Sequence, residues 1–209
     1  MGDKGGRVII FKRIRSKKRS RVDDFEYFTE FQSHEPGFDY LKSAEIEEKI
    51  NSIEWINIGR TPLRLLTTND KVIKLWRIST QGNTKKELNG TCQSLSKNGR
   101  IEIPKSTEVE QDFTAKCRKS FRNAHNYHIN SLSANCDGDH FLSADDLRVN
   151  IWNLEKCKET FSVVDIKPPN IDDLSEVITH AEFHPRIQEM FLFSSSKGQT
   201  QVCDLRMNS

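Results

Sequence analysis

The sequence predicts an all-β chain assembled from one repeated antiparallel hairpin, and three observations predict it. The first is FLSADDLRVNIWNL at 141–154. An apolar strand runs into a tight turn at Asp145 and Asp146, and a β-branched strand leaves it and closes on Trp152. A short acid tolerates turn geometry and accepts backbone N–H bonds there, and branched residues suit a pleated, packed strand. The second is recurrence, the signature of a repeat architecture. LRLLTTNDKVIKLWRI at 63–78 places Asp70 and Trp76 at the same separation as Asp146 and Trp152. MFLFSSSKGQTQVCDLR at 190–206 repeats the shape, with Lys197 and Gly198 in the turn and Cys203 where the Trp would stand. DKGGRVIIF at 3–11 reads as the second half of the same unit. The third lies within KVIKLWRI, where Ile73 and Leu75 face one way and Val72, Trp76 and Ile78 the other. A strand apolar on both faces suits a sheet packed between two neighbours. Together these describe a partial WD40 β-propeller of about three and a half antiparallel four-stranded blades, open at both ends.

The blades divide the chain into 1–31 (the end of a first blade), 32–119 (a second blade with a long polar insertion), 120–166 (a third) and 167–209 (a fourth). Residues 7–11 form a strand. The run KRIRSKKRSR at 12–21 holds seven basic residues in ten. It reads as a solvated loop between strands, with a nuclear-localisation or nucleic-acid patch as the rival reading. FEYFTEF at 25–31 alternates aromatic with acidic or polar residues, as an outer strand does. In the connection 32–51, Pro36 and Gly37 break the chain, and Ser43 ahead of 45–49 supports one helical turn. Strands at 50–56, 63–68 and 71–78 build the second blade. The stretch 79–119 is rich in Lys, Gly, Asn, Ser and Thr. It reads as a long interruption in which only 101–103 is strand-like, and 116–121 returns the chain to the sheet. A strand at 128–133 precedes the central hairpin, and 160–165 closes the third blade. After an acidic connection at 168–177, strands at 178–183, 190–194 and 200–204 form the fourth. There Gln201 replaces an apolar strand residue and is expected to weaken the blade.

Length allows one or two domains for 209 residues. With 35% hydrophobic and 30% charged residues, the core must be small and the loops long and polar. No apolar run approaches the roughly 20 residues that span a bilayer, and no signal-like apolar region follows Met1. Gly6 stands where N-myristoylation wants Ser or Thr. Five cysteines, an odd number without a CxxC pair, suit a reduced intracellular chain better than a disulfide framework. A net charge of +2 demands no polyanionic partner. No GxSxG, HExxH or P-loop occurs, so the chain reads as a non-enzyme without a cofactor. His125, His128 and Asp145 are the one imaginable metal set, but a spacing of three along a strand points the two imidazoles to opposite faces. With no Cys or third clear ligand, no metal site is expected. Asp70 and Asp146 read first as turn residues, Trp76 and Trp152 as blade core, and His184 as a strand-end residue with a hydrogen-bonded ring.

Beyond the repeat, DKGGRVIIF, FQSHEPGFDYLKSAEIEEKIN, TNDKVIKLW, NAHNYHINSL, LSADDLRVNIWNLE, VVDIKP, EVITHAEFHP and SSSKG together resemble the WD-repeat B-type (55 kDa class) regulatory subunit of serine/threonine protein phosphatase 2A. SHEP, NAHNYHINS and SADDLR are specific to that family rather than shared by WD repeats at large. The similarity runs over nearly the whole chain in order, with gaps at 12–26 and 79–116, and matches about the first half of the family's propeller. The resemblance implies a non-catalytic subunit that docks on the HEAT-repeat scaffold, next to the catalytic subunit, and recruits phosphoserine and phosphothreonine substrates. It places substrate-binding positions at Lys4, Tyr127, His128, Asp146 and Leu147, scaffold binding within the 79–119 hairpin, and the protein in the cytoplasm, with the nucleus as a second location. The set is chemically coherent. A carboxylate at a loop tip pairs with Arg or Lys of a substrate segment, and tyrosine offers apolar area with a polar tip. Two rivals stand beside it: a nuclear or nucleic-acid-associated WD-repeat module using 12–21, and a truncated relative that performs neither task.

Overall fold

A computed structural model describes residues 1–14, 24–40, 43–56, 62–81, 112–122, 125–156 and 159–207. Their regular structure is fifteen strands and one 3-10 turn at Ile171–Asp173. The first sheet pairs β1 (Arg7–Ile14) with β2 (Asp24–Gln32). The second is a meander of β5 (Ser52–Ile56), β6 (Leu63–Thr68), β7 (Ile73–Gln81) and β8 (Asp112–Phe121). The third runs through β9 (Ser131–Ala134), β10 (His140–Ala144), β11 (Arg148–Asn153) and β12 (Thr160–Asp165). The fourth holds β13 (Ile178–Phe183), β14 (Met190–Ser195) and β15 (Thr200–Asp204). All pairings are antiparallel.

These sheets stack side by side in chain order, as the blades of a partial propeller do. Val8 and Ile10 of the first sheet pack against Leu65, Trp76 and Ile78 of the second. From the opposite face of the second sheet, Ile73, Leu75 and Phe121 pack against Phe141 and Trp152 of the third. Leu142, Ala144 and Val149 then meet Ala181, Phe183, Phe191 and Phe193 of the fourth. β7 thus feeds two cores at once, Ile73 and Leu75 into one, Trp76 and Ile78 into the other. No core cluster among the described residues joins the fourth sheet back to the first.

A lone inner strand leaves backbone N–H groups unpaired along its free edge. Here the preceding blade supplies acceptors. Ser131 Oγ accepts from Ala181 N (3.1 Å) and Ser133 Oγ from Phe183 N (3.0 Å). Glu54 takes the same position one blade earlier, accepting from Ala134 N at 3.4 Å. Burial there raises the Glu54 carboxyl above its ordinary range.

Several expectations are corrected. No helical turn forms at 45–49: β3 (Gly37–Asp39) and β4 (Ala44–Ile46) pair as a small hairpin instead. Its return passes Ser43 at a positive φ of 47°, incompatible with a helix start. The polar stretch 79–119 is not all interruption, because β7 continues to Gln81 and β8 begins at Asp112, opposite it in register. Cross-strand pairing overrides the weak strand propensity of Ser79, Gln81 and Asp112; 82–111, including 101–103, lie outside the described residues. Lys12, Arg13 and Ile14 extend β1, paired with Glu26, Phe25 and Asp24, rather than opening a loop; the rest of the 12–21 run also lies outside. β9 starts at Ser131, not at 128, since the segment before it is held by the neighbouring blade. Gln201 lies opposite Phe193 in register with its own side chain exposed, so it removes nothing from the core.

Candidate functional site

The turns at one end of the sheets share a construction. Asp145 holds the β10–β11 turn: its Oδ1 accepts from Leu147 N (2.8 Å) and Arg148 N (2.7 Å). In the second sheet Asn69 does the same for Lys71 N (3.1 Å) and Val72 N (2.8 Å). Turn-holding therefore belongs to the residue before each rim aspartate, which corrects the turn reading of Asp70 and Asp146. The backbone carbonyls of those two, and of Asp3 in the first sheet, each accept from the isoleucine that begins the next blade: Ile50 N to Asp3 O (3.2 Å), Ile129 N to Asp70 O (3.1 Å), Ile178 N to Asp146 O (2.8 Å).

Beneath the third turn a buried polar chain runs into the core. Asp145 Oδ2 lies 2.9 Å from His125 Nδ1, His125 Nε2 lies 2.6 Å from Ser143 Oγ, and Trp152 Nε1 donates to Ser143 Oγ at 2.8 Å. Burial works against the Asp145 carboxylate, but the His125 hydrogen bond and the two turn N–H groups hold it below the ordinary carboxylate range. The second sheet builds the counterpart without an acid. Trp76 Nε1 donates to Thr67 Oγ1 (3.0 Å), Thr67 and Ser33 hydroxyls meet at 2.8 Å, and Ser33 Oγ lies 3.0 Å from His34 Nδ1. His34 Nε2 reaches Val72 O at 3.0 Å. A carbonyl only accepts, so Nε2 carries the proton and the Ser33 hydroxyl donates to Nδ1. Burial, and then the Lys74 charge, lowers the His34 pKa to about 4.

This has a pH consequence. In the unfolded chain a histidine binds its proton near pH 6.5, in the fold His34 near 4. Between these values the unfolded state holds more protons, so stability falls as pH drops from 6.5 towards 4. Asp145, with a depressed folded pKa, adds a further loss only below its unfolded value of 3.8. Thermal melts of the parent should therefore decline between pH 7 and 4.5, and those of His34→Asn should decline less across that window.

Of the five positions implied by the resemblance, the structure gathers three around the seam between second and third sheets. Asp146 is half-buried; burial and then the Asp145 charge raise its carboxyl, while the nearby His128 and Lys71 charges oppose that. His128 is exposed, with Nδ1 3.0 Å from Asp70 Oδ2. Tyr127 is half-buried beside it. Lys4 stands exposed on the first-sheet turn, with no hydrogen bond or ion pair to that group among the described residues. That turn requires Gly6, whose φ is +76° and whose missing Cβ would collide with the His34 carbonyl. Leu147 is 1% exposed, so its side chain lies beneath the rim and presents no surface. His125 and His128 part company as expected, though in an irregular segment rather than a strand: one ring is buried on Asp145, the other faces out on Asp70. His184 accepts from Arg186 N and Ile187 N, as a strand-end ring does.

Sequence reasoning missed Asn51 and Lys71. Asn51 Nδ2 donates to Asp70 Oδ1 (2.7 Å) and to Ile129 O (2.9 Å), and Lys71 Nζ donates to Asn126 O (2.5 Å). The signal was present as a repeated Ile-Asn pair, 50–51 and 129–130, because Asn130 Nδ2 donates likewise to Ile178 O (2.8 Å).

No family model matches the chain. It is 49% identical over 214 residues to the B-type regulatory subunit of protein phosphatase PP2A from Candida tropicalis, covering 100% of this chain and 42% of that protein. The chain is homologous to the B-type regulatory subunit of protein phosphatase 2A. The regulatory subunit sur-6 of serine/threonine-protein phosphatase 2A from Caenorhabditis elegans is 50% identical over 216 residues, covering 98% of this chain and 43% of that protein. The PP2A 55 kDa regulatory subunit of Drosophila melanogaster is 47% identical over 212 residues, with 98% and 42% covered. The chain thus spans less than half the length of these relatives, which are named as regulatory subunits and not as catalytic ones. Among solved structures, the β-propeller domain of Myceliophteria thermophila Cps50 (Swd1) is 18% identical with a TM-score of 0.46, over 76% of this chain and 36% of that one.

Proposed function

We propose that the chain is a non-catalytic regulatory element of protein phosphatase 2A, binding the scaffold next to the catalytic subunit and recruiting phosphoprotein substrates through its rim. The observation that carries the reading is the division of labour at the third turn. Asp145 is buried and holds the hairpin, while Asp146, one residue on, is left partly exposed beside His128 and Tyr127. A carboxylate free of turn duty is a natural partner for an Arg or Lys of a substrate segment, and the tyrosine adds apolar area at the same spot. Lys4, on the first-sheet turn, two blades before Asp146, offers a positive charge to an acidic or phosphorylated group. Leu147, being buried, enters this reading only through the fold. Holding a substrate near a catalytic partner raises its effective concentration without any chemistry by the recruiting chain. Gln81 and Asp112 pair at the ends of β7 and β8, on the outer side of the second sheet, and the proposal gives the chain between them to the scaffold.

The test is capture of purified scaffold–catalytic heterodimer by the immobilised 209-residue chain. Retention of both subunits, lost when 82–111 is replaced by a short Gly-Ser linker, is expected. Failure of the parent chain to retain either one would overturn the proposal.

A further inference from the structure

Resting on that reading of the rim, we propose that Asn51 and Asp70 are positioning residues that hold the Tyr127–His128 segment in its recognition geometry from across the blade boundary. The segment 126–129 lies outside any strand, and its own sheet takes hold only at Asn130, whose N donates to Ala144 O (2.9 Å). Its order comes from the second sheet at four points. Ile129 N donates to the Asp70 carbonyl, and the Asn51 amide donates to Ile129 O. The Lys71 ammonium donates to Asn126 O, and the Asp70 carboxylate faces the His128 ring at 3.0 Å. The two named residues are linked in turn, since the same Asn51 amide donates to Asp70 Oδ1 at 2.7 Å. Asn51 therefore bridges a side chain on the β6–β7 turn and the backbone of the recognition segment.

Nothing in the fold of the second sheet needs the Asp70 carboxylate. Asn69 already satisfies that turn, and the Ile129 bond uses the Asp70 backbone. Among the described residues, the carboxylate meets Asn51 through one oxygen and His128 through the other. The rim surface is then composite: the third sheet supplies Asp146, and the second fixes where Tyr127 and His128 stand relative to it. Equivalent Asn130 ties the third sheet to Ile178 at the next boundary, where the following residue is Thr179 and no exposed aromatic pair stands. The asparagine-to-isoleucine bond recurs at two successive boundaries, and at the one between the second and third sheets it carries a recognition segment.

Two measurements test this on the full 209-residue chain. The first needs no ligand: amide hydrogen exchange of the parent, Asn51→Ala and Asp70→Ala, each checked for an unchanged melting transition. Exchange at Ile129 and its neighbours should accelerate by about tenfold, the effect of losing one part-buried hydrogen bond, with the β10–β11 strands unchanged. Unaltered exchange at 126–130 in both variants would overturn the inference. The second is a double-mutant cycle on binding of a phosphothreonine peptide flanked by arginines. Asp70→Ala should weaken binding in the parent and add little in a His128→Ala background. Equal losses in both backgrounds would show that Asp70 does not act through His128, and would likewise overturn it. If the parent fails to bind the peptide, the recruitment reading fails, while the exchange arm still decides whether the clamp holds the segment. Should Asp70→Ala lower the melting transition, Asp70→Asn, which keeps an acceptor for Asn51 but not the charge facing His128, replaces it in the double-mutant cycle, and Asn51→Ala alone decides the exchange arm.

Discussion

Replacing Trp152 by alanine is expected to lower the stability of the chain by about 3–5 kcal/mol, the cost of deleting a large buried aromatic side chain. Its indole is 2% exposed and closes the core between the second and third sheets. It stacks on Phe141 with planes 6° apart and meets Phe121 edge-on at 5.4 Å between centroids. The substitution leaves a cavity bounded by side chains of two sheets, which cannot collapse into it without moving β8. It also strands the Ser143 hydroxyl, which loses the indole donor while keeping His125. Denaturant melts of parent and variant measure the difference. A variant as stable as the parent would contradict the side-by-side stacking of these sheets.

The second large effect separates two adjacent residues. Asp145→Ala should cost about 3–5 kcal/mol, because removing one partner of a buried pair leaves the other uncompensated. Here His125 would lose its carboxylate, and the Leu147 and Arg148 N–H groups would lose their acceptor. Asp146→Lys should change stability by no more than about 1 kcal/mol, as expected for a side chain outside the core and free of turn hydrogen bonds. Its carboxyl is already raised by burial and by the Asp145 charge, so removing it relieves a like-charge contact. The new ammonium would face Lys71 and His128, which offsets that gain. Chemical denaturation of the two variants side by side reads the contrast directly. Equal destabilisation by both would mean that Asp146 serves the hairpin after all.

Most of the fold was legible because its signal is local. The hairpins at 63–78, 141–154 and 190–204 declare themselves through alternation, turn residues and a fixed spacing to the indole or its substitute, all within a few residues. The doubly apolar face of β7 announced that sheets would stack on both sides of it. Where long-range pairing decides, the sequence was weaker. Residues 112–115, Asp-Phe-Thr-Ala, become strand because β7 lies beside them, and Ala44–Ile46 pairs with Gly37–Asp39 instead of coiling. The site was partly legible. Asp146 and His128, picked out by their motifs, do reach the surface of the rim, whereas the burial of Leu147 depends on packing that no local pattern encodes. The turn-holding roles of Asn69 and Asp145 were masked by the more conspicuous aspartate that follows each. Asn51 was hidden for a different reason: it acts on a residue 78 positions away, and only the alignment of one repeat on the next points to it.

Under the proposed function, recognition resides in exposed rim groups whose removal spares the fold. The most direct test is calorimetric titration of an arginine-flanked phosphothreonine peptide into the parent chain and into Asp146→Lys, with melting curves recorded on the same samples. The parent is predicted to bind, and the variant to bind at least about tenfold more weakly through loss of a charge-assisted contact, with an unchanged melting transition. Equal affinity in both, or an unfolded variant, would contradict this division between rim and fold.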